Sequence, residues 1–178
     1  MRLNIVGLQE EGFFPQFLGL MDEFDEQIPW LRGLEDLRRL GPGEELRNAL
    51  IERILEGRGT ISAYQLIGSG GVFIGGLLLF SRIPEHFENP TNQRVVNCLE
   101  TAGAGYLTCL FITPEYRSLG FGRIIMERSI VLGLKTFSSL FGVTSSPQLR
   151  AWHESMGAIT LSSSKNQDNL WIIYWNRS

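Results

Sequence analysis

The pattern of apolar and polar positions alternates between two periods along the chain. Apolar residues recur at every second position in short segments bounded by glycine, proline or polar residues, which predicts strands. They recur at three- and four-residue steps in longer segments, which predicts helices. The predicted strands are 3–8, 60–67, 72–83, 105–113, 139–143, 159–163 and 170–175. The predicted helices are 10–24, a second helix in two pieces (34–40 and 44–56), 121–137 and the segment between Ser146 and Gly157.

The order of these elements predicts the fold class. The run VFIGGLLLF within 72–83 is nearly all apolar, which is typical of a central strand buried on both faces. Strand 105–113, helix 121–137 and strand 139–143 predict a right-handed βαβ unit with parallel strands. We therefore expect an α/β (α+β) fold with a mixed central sheet of about seven strands and about four helices, formed by a single domain over residues 1–178.

Three local patterns make this prediction more detailed. The polar segment 84–103 is expected to be a long irregular loop. The last predicted hairpin places Trp171, Ile173 and Trp175 on one face. The stripe expected to be buried on helix 121–137 consists of Ile124, Ile125, Ile130, Val131, Leu134 and Phe137.

Composition and charge exclude several classes of function. The formal net charge of −3 gives no general attraction to nucleic acid. The beginning of the chain does not resemble a secretory signal, and no apolar run approaches the roughly 18 residues of a membrane span. Cys98 and Cys109 have neither a metal-ligand spacing nor a disulfide framework, so we expect reduced thiols in a cytoplasmic protein. The histidines lack paired ligands, so no metal site is predicted.

The segment GYLTCLFITPEYRSLGFGR (105–123) is the strongest indication of chemistry in the sequence. It predicts a strand that ends at Pro114, a loop with Gly120 and Gly122, and a helix that begins at once. The first turn of a helix leaves N–H groups unpaired and carries the positive end of the helix dipole, so such a junction binds phosphates. Arg117 adds a positive charge. Two glycines alone would fit a plain tight turn equally well.

The whole segment resembles the acyl-CoA signature of the GNAT N-acetyltransferase superfamily, V-x-P-x-[YH]-[RQ]-x-x-G-x-[GA]. The residues on the motif positions are Ile112, Pro114, Tyr116, Arg117, Gly120 and Gly122. Ser118 and Leu119 depart from it, since the family more often has glycine and a basic residue there. The predicted order β-α-α-β-β-β-α-β-α-β-β is also that of the family. A Walker loop would need GxxxxGK[ST], so phosphate transfer is not supported.

The resemblance implies acetyl-CoA as co-substrate, with no metal. It implies strands that splay apart beside the loop and main-chain contacts from Leu110 and Ile112 to the pantetheine arm. The residues expected to contact the coenzyme are Leu110, Phe111, Ile112, Arg117, Ser118, Leu119, Gly120, Phe121, Gly122, Arg123 and Ser146.

The acid that protonates the departing thiolate is expected on the last predicted helix. The segment WHESMGA resembles the family's [LI]-Y-x-x-x-G-F and places His153 on the tyrosine position, although Ala158 replaces the phenylalanine. An imidazole with an ordinary pKa of about 6.5 would be partly protonated near neutrality and could give up that proton. The alternative is that His153 is a core-edge histidine with a satisfied hydrogen bond.

The general base is less clear from the sequence. Many members of the family have a glutamate where this chain has Tyr106. Glu100 could replace it, directly or through water, or could be a solvated loop charge. Cys109 could be a nucleophile, but its position in the strand favours a buried, inert thiol.

The function expected from these residues is transfer of an acetyl group from acetyl-CoA to a primary amine by direct transfer in a ternary complex. The alternatives are a CoA-binding regulatory module without catalysis and an enzyme similar to homoserine-lactone synthases. The acceptor is expected to enter between the N-terminal helices and the last hairpin, where 22–26 contains four acids that would favour a cationic amine or form a solvated face. Oligomeric state stays open, with a homodimer as one option.

Overall fold

The computed structural model describes residues 1–6, 61–81, 90–163 and 171–177, and these ranges form one seven-stranded sheet and three α-helices. The strands are β1 (Arg2–Val6), β2 (Ile61–Ile67), β3 (Phe73–Phe80), β4 (Ala104–Ile112), β5 (Ser139–Thr144), β6 (Ile159–Ser163) and β7 (Trp171–Asn176). The helices are α1 (Pro90–Thr101), α2 (Phe121–Thr136) and α3 (Pro147–Glu154). The helices predicted at 10–24, 34–40 and 44–56 lie outside the described residues.

The sheet confirms the predicted mixed topology. The strand order is β1-β2-β3-β4-β5-β7-β6, and β4 and β5 are parallel while the other neighbours are antiparallel. The apolar strand β3 lies inside the sheet between β2 and β4, and every residue from Ile74 to Phe80 is buried. Helix α2 connects the two parallel strands, as predicted for the βαβ unit. None of the helices in the described ranges is both long and apolar enough to cross a membrane.

The two faces of the sheet have different side chains because neighbours along a strand point to opposite sides. One face packs against α2 and is mainly aliphatic, and it includes Trp175 and Ile173 with Trp171 beside them, as predicted for the last hairpin. The other face carries a row of aromatic rings. The centroid of the Tyr106 ring lies 6.3 Å from that of the Phe80 ring and 5.2 Å from that of the Phe141 ring. This row places Tyr106 in the core of the sheet.

The prediction of an irregular loop over 84–103 is wrong, because α1 occupies Pro90–Thr101. Its sequence is mostly polar, but Val96 and Leu99 lie three residues apart and are both buried, so one narrow stripe is enough to dock the helix. Proline is well tolerated in the first turn of a helix, and Gly103 has a positive φ of 74° just after the last turn. These start and stop signals were present in the sequence.

The buried stripe of α2 also differs from the prediction. The residues buried on this helix are Ile125, Met126, Ser129, Ile130 and Gly133, whereas Val131 is 62% exposed. Small residues lie where the helix approaches the sheet most closely. A Cβ atom on Gly133 would lie 2.9 Å from a methyl carbon of Leu140. Close approach, rather than the most apolar face, therefore determines how α2 docks.

Candidate active site

A wedge between β4 and β5 forms the centre of the candidate site. The two strands pair only at their amino ends, where Ala104, Gly105 and Tyr106 face 139–141. Beyond Tyr106, β4 continues alongside β3 to Ile112, and β5 continues alongside β7 to Thr144. The strands therefore diverge towards their carboxyl ends, as the resemblance implied.

A bulge in β4 lies where the strands diverge. Phe111 pairs with Gly76 and Thr108 pairs with Leu78, so two residues of β4 lie opposite one residue of β3. Such a bulge bends its strand and increases the local twist. Sequence periodicity did not predict it. The side chain of Cys109, one of the two bulged residues, is outside the described part of the structure.

The backbone of Ile112 points into the wedge. Thr113 donates its N–H to the carbonyl of Ile74 at 2.9 Å, which makes this a hydrogen-bonded pair across β3 and β4. Because bonded and non-bonded pairs alternate in an antiparallel ladder, the N–H and C=O groups of Ile112 face away from β3. The side chains of Leu110 and Ile112 share one face, since a Cβ on Gly122 would lie 3.9 and 3.8 Å from them.

The loop between β4 and α2 has the conformation that an anion-binding junction requires. After the 3₁₀ turn Pro114–Tyr116, the φ angle is 62° at Ser118 and 81° at Gly120, which is the residue before the first turn of α2. The first hydrogen bond of the helix runs from the N–H of Ile124 to the carbonyl of Gly120. The N–H groups of 121–123 therefore have no partner within the helix. Residues with left-handed φ angles next to the first turn of a helix orient such N–H groups towards one concavity.

Two aromatic rings anchor this loop to the core. The rings of Tyr116 and Phe121 meet edge to face with centroids 5.8 Å apart, and both pack against the aliphatic core under α2. The loop tip between them is exposed, including Leu119. The ring pair therefore fixes both ends of the loop while its backbone stays accessible.

The two arginines beside the loop have different surroundings. Arg117 is exposed, and its Nε donates to the carbonyl of Ile112 at 3.0 Å, so its guanidinium lies at the mouth of the wedge. Arg123 forms an ion pair with Glu127 at 2.7 Å and donates to the hydroxyl and carbonyl of Ser155 at 3.4 and 3.3 Å. Arg123 therefore connects α2 to the end of α3, whereas Arg117 faces the expected coenzyme path.

Two other predicted contacts have structural roles of their own. Ser146 is the N-cap of α3, where its hydroxyl accepts the N–H of Leu149 at 3.2 Å, as the sequence predicted. Phe111 is buried and stacks on Phe73 with centroids 5.7 Å apart. Its side chain belongs to the core, so any contact of Phe111 with a coenzyme would have to come from its backbone.

His153 is half-buried in the last turn of α3, and its ring meets those of Trp152 and Trp175 edge-on at centroid distances of 4.9 and 5.3 Å. Burial lowers the pKa of His153 from 6.5 to about 4. A pKa this low favours a neutral ring at pH 7 and argues against the partly protonated acid expected from the sequence. Nδ1 is buried and has no hydrogen-bond partner among the described residues, unlike the satisfied core-edge histidine considered above.

Glu100 and the glycine loop lie at opposite ends of β4. It lies in the last turn of α1 rather than in a loop, and its carbonyl accepts the N–H of Gly103 at 2.9 Å. That end of α1 leads into the amino end of β4, whereas the glycine loop follows the carboxyl end. A strand of this length spans about 30 Å. The acids at 22–26 lie outside the described residues.

Tyr106, where the sequence resemblance implied a glutamate, has no carboxylate. It is 7% exposed and packs between Phe80 and Phe141. Sequence reasoning missed the contact that Trp175, on the opposite face of the sheet, makes with His153 from β7. The alternation of apolar residues in the last hairpin was the signal that could have indicated it.

Comparison with known proteins supports the fold. No protein-family model and no curated protein sequence matches this chain. Among solved structures, the dodecameric spermidine N-acetyltransferase of Vibrio cholerae matches with a TM-score of 0.57 and 12% identity over 98% of this chain and 92% of its own. The N-acetylglutamate synthase of Neisseria gonorrhoeae, complexed with coenzyme A and N-acetylglutamate, matches with a TM-score of 0.53 and 16% identity over 99% of this chain.

This chain spans 35% of the length of the synthase but nearly all of the spermidine enzyme. At these identities the matches show the fold, and it is the fold of GNAT-type N-acetyltransferases. The resemblance noted in the sequence is thereby confirmed for the architecture.

Proposed function

We propose that this protein is an acyl-CoA-dependent N-acyltransferase that transfers an acetyl group to a primary amine. The observation that carries the proposal is the wedge between β4 and β5, which leads to the glycine loop at the start of α2. A wedge with outward-facing backbone groups suits a pantetheine arm, and a helix start with left-handed residues suits a diphosphate. The two features lie at the two ends of one path.

The residues have distinct roles in this proposal. The N–H groups at the start of α2 and the guanidinium of Arg117 bind the diphosphate. The backbone of Ile112, with that of Leu110, binds the amide groups of the arm, and the Ile112 carbonyl can accept a second hydrogen bond beside that from Arg117. The side chain of Phe111 remains in the core, and Arg123 acts through its connection to Ser155.

The reaction is a direct transfer between two substrates. The amine nitrogen attacks the thioester carbonyl carbon, the C–N bond forms, the C–S bond breaks and the thiolate leaves. The amine must lose a proton and the thiolate must gain hydrogen-bond donors or a proton. We assign the stabilisation of the departing thiolate to His153, which as a neutral imidazole donates one N–H to the sulfur. No residue of the described ranges is supported as the base for the amine as well as His153 is supported as the donor to the thiolate, since Glu100 lies towards the other end of β4.

One observation favours a second candidate, a coenzyme-binding module without turnover. The position of the family's glutamate is filled by Tyr106, whose ring is part of the aromatic core. Such a protein would bind acetyl-CoA as tightly as an enzyme and would form no product.

The test combines binding with product analysis. Calorimetry with acetyl-CoA measures binding, and mass spectrometry follows acetylation of a panel that contains spermidine, glutamate, an amino sugar, a lysine peptide and a free peptide N-terminus. Mass spectrometry is preferable to a thiol reagent because Cys98 is exposed and would react as well. Binding with at least one acetylated amine supports the enzyme, binding without product supports the module, and no binding contradicts both.

A further inference from the structure

Two buried nitrogens without a hydrogen-bond partner belong to rings that contact each other at the end of α3. The described residues contain four buried side-chain polar atoms without a hydrogen-bond partner: Ser129 Oγ, Arg150 Nε, His153 Nδ1 and Trp175 Nε1. The last two belong to rings that contact each other, with centroids 5.3 Å apart and planes at 80°. Arg150 has other interactions, since its guanidinium lies over Trp171 and its Nε is 3.7 Å from Glu154. The pair His153 and Trp175 therefore requires its own explanation.

A buried polar atom without a partner is costly, so both nitrogens should be satisfied in the folded protein. They do not bond to each other, and Trp175 is only 3% exposed, which leaves no path for bulk solvent at its N–H. A single water molecule makes hydrogen bonds of about 2.9 Å to each side and so bridges atoms that are up to about 6 Å apart. The two rings are in contact, so a water bridge of this length is compatible with their packing.

We propose that one buried water molecule accepts the N–H of Trp175 and donates to Nδ1 of His153, which fixes the imidazole as its Nε2–H tautomer. The opposite tautomer would also donate to the water, so that both water hydrogens would need further buried acceptors. The carbonyl of His153 is already used, since it accepts the N–H groups of Met156 and Ala158 at 2.9 and 3.3 Å. The arrangement with Nδ1 as acceptor leaves one fewer hydrogen without a partner.

Trp175 is therefore a positioning residue for His153. It does not touch substrate in this proposal, but it decides which ring nitrogen carries the proton of a neutral imidazole. The value for catalysis rests on the proposed function, because it requires Nε2–H to face the departing sulfur. The water and the tautomer do not depend on that function, so they can be tested in a protein that has no measurable turnover.

The direct test is nitrogen NMR of protein labelled with ¹⁵N-histidine at pH 7, together with water-to-protein exchange spectra. In the parent protein we expect the Nε2–H tautomer and a cross-peak between the Trp175 indole N–H and a long-lived water. In Trp175→Phe we expect the ratio of Nε2–H to Nδ1–H to fall about fivefold, the effect of losing one hydrogen bond.

The matched control is Trp152→Phe. Trp152 makes the other edge-on contact with the same imidazole, but its indole N–H is not among the buried unpaired atoms of the described residues. We expect the parent tautomer ratio in this variant. The proposal is overturned by a parent with the Nδ1–H tautomer, by the absence of the water cross-peak, or by equal tautomer shifts in both variants.

Kinetics then separate this inference from the proposed function. If the parent acetylates an amine, Trp175→Phe should lower kcat with little change in the KM for acetyl-CoA, while Trp152→Phe should not. If the parent shows the water and the tautomer but no turnover, the positioning of His153 stands and the proposed function fails. If turnover occurs with an unshifted tautomer in Trp175→Phe, the proposed function stands and the inference fails.

Discussion

The glycine loop before α2 has backbone N–H groups outside the helical hydrogen bonds, and the rings of His153 and Trp175 have nitrogens without a hydrogen-bond partner. Only the groups of the loop are open to solvent. At the loop, the N–H groups of the first turn of α2 lie beside the exposed residues 117–120. At the ring pair, both nitrogens are buried. Exposed N–H groups are hydrated and can exchange water for phosphate at little cost, whereas buried nitrogens must keep a partner or lose their charge. The difference suits a ligand site on one side and a fixed, neutral ring on the other.

The largest expected effect comes from removing the imidazole. His153→Phe should lower kcat by about 100- to 1,000-fold, the usual cost of removing a preorganised hydrogen-bond donor from a developing negative charge, while acetyl-CoA still binds. His153→Tyr keeps a donor and should retain much of the activity. Steady-state kinetics and calorimetry on both variants check this. If His153→Phe turns over at the parent rate, the ring is a packing residue only.

The next effect concerns the loop. Gly120→Glu should weaken acetyl-CoA binding by about 100-fold or more, since a carboxylate at the concavity repels the diphosphate and displaces charge-assisted hydrogen bonds. The matched control is Gly70→Glu, because Gly70 has a φ of 74°, close to the 81° of Gly120, and a Cβ at either position meets nothing within 4 Å. Calorimetry should show loss of binding only for Gly120→Glu. Equal affinities in the two variants would remove the loop from the proposed site.

The buried ring should also make stability depend on pH. The pKa of His153 is lowered from 6.5 to about 4 in the folded protein, so the unfolded chain binds the extra proton between these values. The contribution of the neutral ring to stability should therefore be complete above pH 6.5. As the pH drops to 4, the free energy of unfolding should fall by about 2 kcal/mol, allowing for the partial exposure of the ring.

Denaturant unfolding at several pH values measures this contribution as the difference between the parent and His153→Phe. The difference isolates His153 from the carboxylates, which titrate in the same range in both proteins. A difference that stays constant from pH 7 to pH 4 contradicts the buried neutral ring.

The smallest effect sharpens the description of the loop. Ser118 has a φ of 62°, a left-handed conformation that costs a side-chain-bearing residue about 1 kcal/mol. Ser118→Gly should therefore raise the free energy of unfolding by about 0.5 kcal/mol, after the greater freedom of glycine in the unfolded chain is counted. Ser145→Gly is the control, since Ser145 is exposed without a positive φ and should lose stability instead. Equal changes in both variants contradict a strained loop.

Local signals in the sequence were sufficient for much of the architecture. The apolar run of β3 predicted an interior strand, Ser146 and Pro147 predicted the start of α3, and the segment from Tyr106 to Gly122 predicted the junction of strand, loop and helix. These features depend on residues within a few positions of one another, through φ preferences, capping and side-chain alternation. The same kind of signal, Pro90 and Gly103, marked α1 and was overlooked because that helix is mostly polar.

Tertiary structure decided the features on which the chemistry depends. The bulge and the divergence of β4 from β5 follow from pairing each strand with a different outer neighbour, which no single segment specifies. The docking face of α2 follows from close approach at Gly133, which left the apolar Val131 exposed. The low pKa of His153 arises from burial beside Trp175, a residue more than twenty positions later in the chain. Register, burial and long-range contact are properties of the packed sheet, so the resemblance of a short motif could name His153 but could not determine its charge.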